Sequence, residues 1–193
     1  MFKSINGGAS WSKINSGITA AFLYAVAIDP LTPSTLYVGG FPDGVFKSTN
    51  SGASWSPARN GLPINSVKEL AIDPQSPGTL YAGTEGGGLF KSTNGGASWS
   101  MVNTGLTAYS IYSLAINPLE PSILYAGTNN GVFKSTNVGA SWEAFNAGLT
   151  NLDVNSMAID PLTPDNLFAG THGGGVFAIQ QKDYLVNLPL ILR

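Results

Sequence analysis

Short apolar runs, each closed by Asp-Pro or Asn-Pro, recur along the chain: Val26-Ala27-Ile28, Leu70-Ala71-Ile72, Leu114-Ala115-Ile116 and Met157-Ala158-Ile159. A run this short, apolar at successive positions, fits a strand buried on both faces. The prolines that follow, Pro30, Pro74, Pro118 and Pro161, cannot donate to a ladder, and Asp or Asn before proline starts a turn. A second strand is expected at each Leu-[Tyr/Phe]-[Val/Ala]-Gly string, at Leu36, Leu80, Leu124 and Leu167. A third is expected at Val45–Ser48, Leu89–Ser92, Val132–Ser135 and Val176–Ile179. A fourth begins at Ser10, Ser54, Ser98 and Ser141. No segment sustains a helical period over the ten or so residues a helix needs. The pattern predicts an all-β fold.

The strands belong to copies of one unit. The string Lys-Ser-x-Asn-x-Gly-Ala-Ser-Trp begins at Lys3, Lys47, Lys91 and Lys134, at intervals of 44, 44 and 43 residues. Intervals of roughly 40–45 residues with four short strands per unit are the signature of propeller blades. The expected architecture is a β-propeller of four-stranded antiparallel blades, built from four repeats of about 44 residues over residues 1–181. The chain opens in mid-unit, with a third strand and a turn at Phe2–Trp11 followed by a fourth strand. The last unit supplies strands one to three and ends near Ile179. The N-terminal fourth strand is therefore expected to complete the last blade, because propellers protect their sheet edges this way. Closure within one chain gives a four-bladed ring. Exchange of that strand between two chains gives a homodimer. Residues 182–193 fall outside the repeat as an apolar tail.

The turn between the third and fourth strands is the most specific motif. It reads Ser-Thr-Asn-x-Gly-Ala-Ser-Trp at Ser48–Trp55, Ser92–Trp99 and Ser135–Trp142, and Ser-Ile-Asn-Gly-Gly-Ala-Ser-Trp at Ser4–Trp11. This resembles the Asp-box of bacterial-neuraminidase-type repeats, with Asn6, Asn50, Asn94 and Asn137 where that family has Asp. An amide oxygen can still accept the backbone N–H bonds of an Asx-type turn, and a glycine such as Gly52 can take positive φ. Trp11, Trp55, Trp99 and Trp142 are expected to cover the turns and pack between blades. These turns read as structural braces. They hold no carboxylate, and calcium wants several oxygen ligands. Asp-box propellers include sialidases, xyloglucan-degrading endoglucanases, the sortilin luminal domain and photosystem II assembly factors. The phrasing here is most similar to the xyloglucanase and sortilin-like branch. The resemblance implies the fold and a secreted or cell-surface location. A shared scaffold does not carry an activity with it.

Composition narrows the chemistry. Hydrophobic residues make up 43% of the 193, enough for a core, while charged residues make up only 10%. Nine basic and eleven acidic side chains give a net charge of −2, which supplies no field for gripping phosphates and argues against nucleic-acid binding. There is no cysteine and a single histidine, His172. That excludes thiolate chemistry, disulfides, iron–sulfur clusters and multi-histidine metal sites, and no cofactor is expected. The longest apolar stretch, Leu185–Leu192, is broken by Asn187 and Pro189 and falls short of the roughly 20 residues that span a bilayer, so no membrane association is expected. The N-terminus lacks the pattern of a signal peptide.

Comparing the units with one another locates a candidate site. The first-to-second and third-to-fourth turns share one face and are nearly uniform. The opposite face varies, and variable loops on a rigid scaffold are where function tends to lie. Its contact candidates are Tyr24, Phe41, Lys68, Tyr109, Tyr112 and His172, for a glycan, peptide or protein ligand. A sialidase grips its substrate with three arginines, and this chain has only Arg59 and Arg193. A glycosidase needs two carboxyls roughly 5–10 Å apart across a cleft. Asp29, Asp73 and Asp160 sit in repeated turns, which leaves Glu69 with Glu85 as the best remaining pair. Xyloglucanase-like enzymes set their aspartates between two much larger propellers, so the expected function is a non-catalytic binding or assembly scaffold, with a glycoside hydrolase relative as the alternative. The triple glycines Gly86–Gly88 and Gly173–Gly175 precede no helix and do not form a phosphate loop.

Overall fold

The computed structural model describes residues 1–63 and 66–180. Every regular element among them is a β-strand, and every pairing is antiparallel. An N-terminal pair, β1 (Phe2–Lys3) and β2 (Ser12–Lys13), precedes three four-stranded sheets. The first is β3 (Phe22–Ile28), β4 (Leu36–Phe41), β5 (Gly44–Ser48) and β6 (Ser56–Pro57). The second is β7 (Val67–Ile72), β8 (Leu80–Thr84), β9 (Gly88–Ser92) and β10 (Ser100–Met101). The third is β11 (Ile111–Ile116), β12 (Leu124–Thr128), β13 (Gly131–Ser135) and β14 (Glu143–Ala144). A final sheet holds β15 (Val154–Ile159), β16 (Asn166–Thr171) and β17 (Gly175–Gln180). Strands pair in chain order within each sheet, and the inner strands β3, β7, β11 and β15 pack side by side.

Local chemistry sets the turns. In each first-to-second turn one side-chain oxygen caps two backbone N–H groups: Asp29 those of Leu31 and Thr32, Asp73 those of Gln75 and Ser76, Asn117 those of Leu119 and Glu120, Asp160 those of Leu162 and Thr163. In the third-to-fourth turn Asn50 Oδ1 accepts from the Ser48 hydroxyl (2.9 Å) and the Ser54 N–H (2.9 Å), while its amide donates to Ser54 Oγ (2.8 Å). The Gly52 N–H donates to Ser48 Oγ at 2.9 Å. Asn6, Asn94 and Asn137 make the same bonds. The amide thus serves in place of a carboxylate by turning the serine hydroxyl into an acceptor.

The core lies between sheets. At the first junction Tyr37 and Val45 meet Val67, Leu70, Leu80 and Phe90, and the next two junctions repeat the arrangement. Polar clips flank the apolar contact. Tyr37 Oη and Lys47 Nζ both donate to Gly95 O, and Tyr81 and Lys91 both donate to Val138 O. Trp99 Nε1 reaches back to Ala58 O and Trp142 Nε1 to Val102 O.

The expected closure within one chain is not formed among the described residues. β2 pairs with β1 and does not complete the last sheet, which has three strands among the described residues, and the described sheets do not close into a ring. The reason is where the N-terminal pair docks. Trp55 Nε1 donates to Ile14 O, and Lys3 Nζ donates to Ser51 O, repeating the internal clips. β1 and β2 therefore sit against the first sheet as the outer half of a preceding unit. Trp11, expected to pack between blades, is 63% exposed, since none of the described sheets lies behind it. The other three tryptophans are buried. The apolar tail, 182–193, lies outside the described residues.

Candidate functional site

The variable loops and the starts of the inner strands share one face, and the register shows why. A bulge between Leu23 and Ala25, matched at Val67/Glu69, Ile111/Ser113 and Val154/Ser156, inserts one extra residue into each inner strand. The inserted residues are Tyr24, Lys68, Tyr112 and Asn155. Bulges re-aim a side chain, and here they set two tyrosines, a lysine and an asparagine at one level of four adjacent strands.

Tyr24 and Lys68 meet across the first junction. The Lys68 ammonium lies 3.9 Å from the centre of the Tyr24 ring, and its other side pairs with Glu85 at 3.0 Å. Phe22 stacks on Tyr24, with centroids 6.4 Å apart, and is the ladder partner of Phe41. Phe22, Tyr24 and Phe41 are all exposed large hydrophobic residues. Phe22 enlarges the candidate site beyond the sequence reading, and Glu85, expected there only as a carboxyl partner of Glu69, joins the cluster through Lys68. The signal for Phe22 was present: the other units have Ser66, Ser110 and Asp153 at its position.

The remaining candidates stand apart. Tyr109 is exposed and lines a depression of about 440 Å³ with Thr107, Ser110, Asn129 and Asn130. Tyr112 is half-buried on β11. His172 is exposed, with Nδ1 3.2 Å from Asp153. Polar pairs between loops recur along this face: Asn130 donates to Thr107, and Asp43 bonds both the Thr19 hydroxyl and Arg59. Thr19 and then Arg59 hold the Asp43 carboxyl below the usual carboxylate range.

The two carboxyl candidates differ in setting. Glu85 is bound to Lys68 on the loop face. Glu69 lies mostly buried on β7, where desolvation raises its pKa and the Leu70 N–H partly opposes that rise. At the equivalent position Ser113 accepts from the Met157 N–H of the next sheet. Among the described residues no three His, Cys, Asp or Glu side chains gather as a metal site would need.

No protein-family model and no curated protein matches the chain. Solved structures do. An ancestral GH74 enzyme is 27% identical with a TM-score of 0.70, over 88% of this chain and 24% of that one. The GH74 enzyme of Niastella koreensis is 19% identical with a TM-score of 0.76, over 92% and 32%. The extracellular domain of a putative hybrid two-component system from B. thetaiotaomicron is 18% identical with a TM-score of 0.73, over 94% and 24%. These neighbours are β-propellers. The chain spans about a quarter to a third of their length.

Proposed function

We propose that the chain is a non-catalytic scaffold of Asp-box β-propeller type that binds a glycan, peptide or protein on its variable loop face, outside the cell. The observation that carries this reading is the cluster of Phe22, Tyr24, Phe41, Lys68 and Glu85. It offers exposed aromatic surface beside a held cation, a combination suited to stacking and to a few directed hydrogen bonds. Glu85 is taken up by Lys68, so it is poorly placed to act as the partner of Glu69 in hydrolysis. The likeness to an extracellular sensor domain supports an extracellular location.

Two observations favour the second reading, a glycoside hydrolase relative. Desolvation raises the Glu69 pKa, the direction a general acid requires, and a GH74 enzyme is 27% identical. Glycan and peptide arrays probed with the wild-type chain, Tyr24→Ala and Tyr112→Ala test the first reading. If every ligand found binds both variants as well as wild type, the inner-strand row is not the site. Reducing-sugar release from xyloglucan and other β-glucans tests the second. Activity lost in Glu69→Gln would establish the hydrolase reading and sink the scaffold.

A further inference from the structure

The two ends of the arc leave opposite halves of one repeated junction uncovered. At the N-terminal end, β1 and β2 occupy the third and fourth strand positions of a unit whose first and second positions are empty among the described residues. Val26 and Ile28 face that gap and are 57% and 56% exposed, where the equivalent Leu70 and Leu114 are buried or half-buried. The gap is a groove of about 400 Å³ bounded by Met1, Phe2, Leu23, Tyr24 and Val26. At the other end, Phe168 and Val176 are 42% and 75% exposed. Their equivalents, Tyr37, Tyr81 and Tyr125 in the second strand and Val45, Leu89 and Val132 in the third, are fully buried under the next sheet. Ala158 and Ala178 extend this face and are exposed too.

We infer that these faces join head to tail in a second copy of the chain, and that two copies close a ring through two such junctions. The three internal junctions are the template. Each packs the face that Phe168 represents against the face that Val26 represents. Both halves are open among the described residues, and each half has its complement on another copy. A head-to-tail contact must close or run on as a filament. Two copies supply eight blade equivalents, within the roughly 4–8 blades that propellers use.

The third-strand position at the seam is supplied twice, by β1 and by β17. β17 pairs with β16 at six positions, and β1 with β2 at only two. β1 therefore gives way. β2 stays where Trp55 holds Ile14, and it pairs with the incoming β17 as β6, β10 and β14 pair with β5, β9 and β13. The junction also completes the inner row, since it sets Asn155 of the second copy beside Tyr24 as Lys68 now sits on its other side.

The test is solution mass by light scattering behind size exclusion, on wild type, Val26→Asp and Phe168→Asp. Both positions are exposed in the single chain, so each substitution spares its fold. Wild type is expected at twice the chain mass of 20.0 kDa, and each variant alone at 20.0 kDa. An equimolar mixture of the two variants retains one wild-type junction, because each contributes its intact face. The mixture is expected to return to twice the chain mass, which also shows that both variants fold. Wild type at 20.0 kDa, or above twice that mass, would overturn the two-copy ring. So would a variant that keeps the doubled mass, or a mixture that fails to recover it.

Discussion

Gly17, Gly61, Gly105 and Gly148 follow the fourth strands at one repeat position, with φ of +91°, +88°, +86° and +84°. A Cβ on Gly105 would lie 2.1 Å from Trp142 O in the turn of the next sheet, and Gly17 and Gly61 meet Trp55 O and Trp99 O in the same way. A Cβ on Gly148 meets nothing within 4 Å among the described residues. Alanine at all four bears the same backbone cost, about 1–2 kcal/mol for the left-handed conformation, offset by about 0.4–1 kcal/mol from a stiffer unfolded chain. Gly105→Ala must also push the Trp142 backbone away. That breaks the bond from Trp142 N–H to Thr104 O and the one from Nε1 to Val102 O, at 2.9 and 3.0 Å. Two such bonds contribute about 0.5–1.5 kcal/mol each, and loosening a buried tryptophan adds about 1–2 kcal/mol of lost burial. The expected losses are about 3–5 kcal/mol for Gly105→Ala and about 1 kcal/mol for Gly148→Ala. Urea unfolding followed by the fluorescence of the buried tryptophans measures both. Equal losses would refute the reasoning, because they would assign the whole effect to the backbone term and none to the junction.

Three further outcomes follow from the same geometry. Val138 holds φ at +59°, where the first and third copies of this turn have Gly7 and Gly95. Val138→Gly is expected to stabilise the chain by about 1 kcal/mol in the same urea assay, since the bonds of the strained residue, from its N–H to Ser122 O and from Tyr81 and Lys91 to its carbonyl, are backbone bonds that glycine keeps. Tyr81→Phe removes one donor to Val138 O but leaves Lys91 in place, so the loss should stay within about 0.5–1.5 kcal/mol; a larger loss would mean that the clip does not share its acceptor. Burial raises the Glu69 pKa above its unfolded value, so the protonated form suits the fold and stability is lost as pH rises through the folded value. Glu69→Gln should therefore raise the urea midpoint at pH 7, and the gain should vanish below the ordinary carboxylate value of 4.5; a gain independent of pH would remove ionisation as its cause.

The turns were legible in the sequence because their chemistry is local. Ser48, Asn50, Gly52 and Ser54 satisfy one another within seven residues, and Asp73 caps its own turn, so neither needs a distant partner. The inner-strand row was legible for a different reason. Identical units place Tyr24, Lys68 and Tyr112 at one register, and a difference between copies then marks a position that packing does not dictate. Phe22 was missed although its position differs between the copies, and Glu85 was read only as a carboxyl candidate, because its pairing with Lys68 depends on two side chains meeting within the folded sheet, which no repeat alignment contains. Closure was not legible at all. The third strand occurs at both ends, as Phe2-Lys3 and as Val176-Phe177-Ala178, and both copies match the repeat. A pattern that fits two edges equally cannot say which edge β2 takes. The exceptions within the pattern are more informative than the pattern. Phe168 stands where three tyrosines donate or pack under a neighbouring turn, and Ala178 stands where Lys47 and Lys91 clip the next sheet. The last unit has thus lost both polar clips and kept an apolar face. A seam built on that face has no side-chain clip to add to burial and the short β2–β17 ladder, which makes it the junction of the fold most sensitive to a single introduced charge.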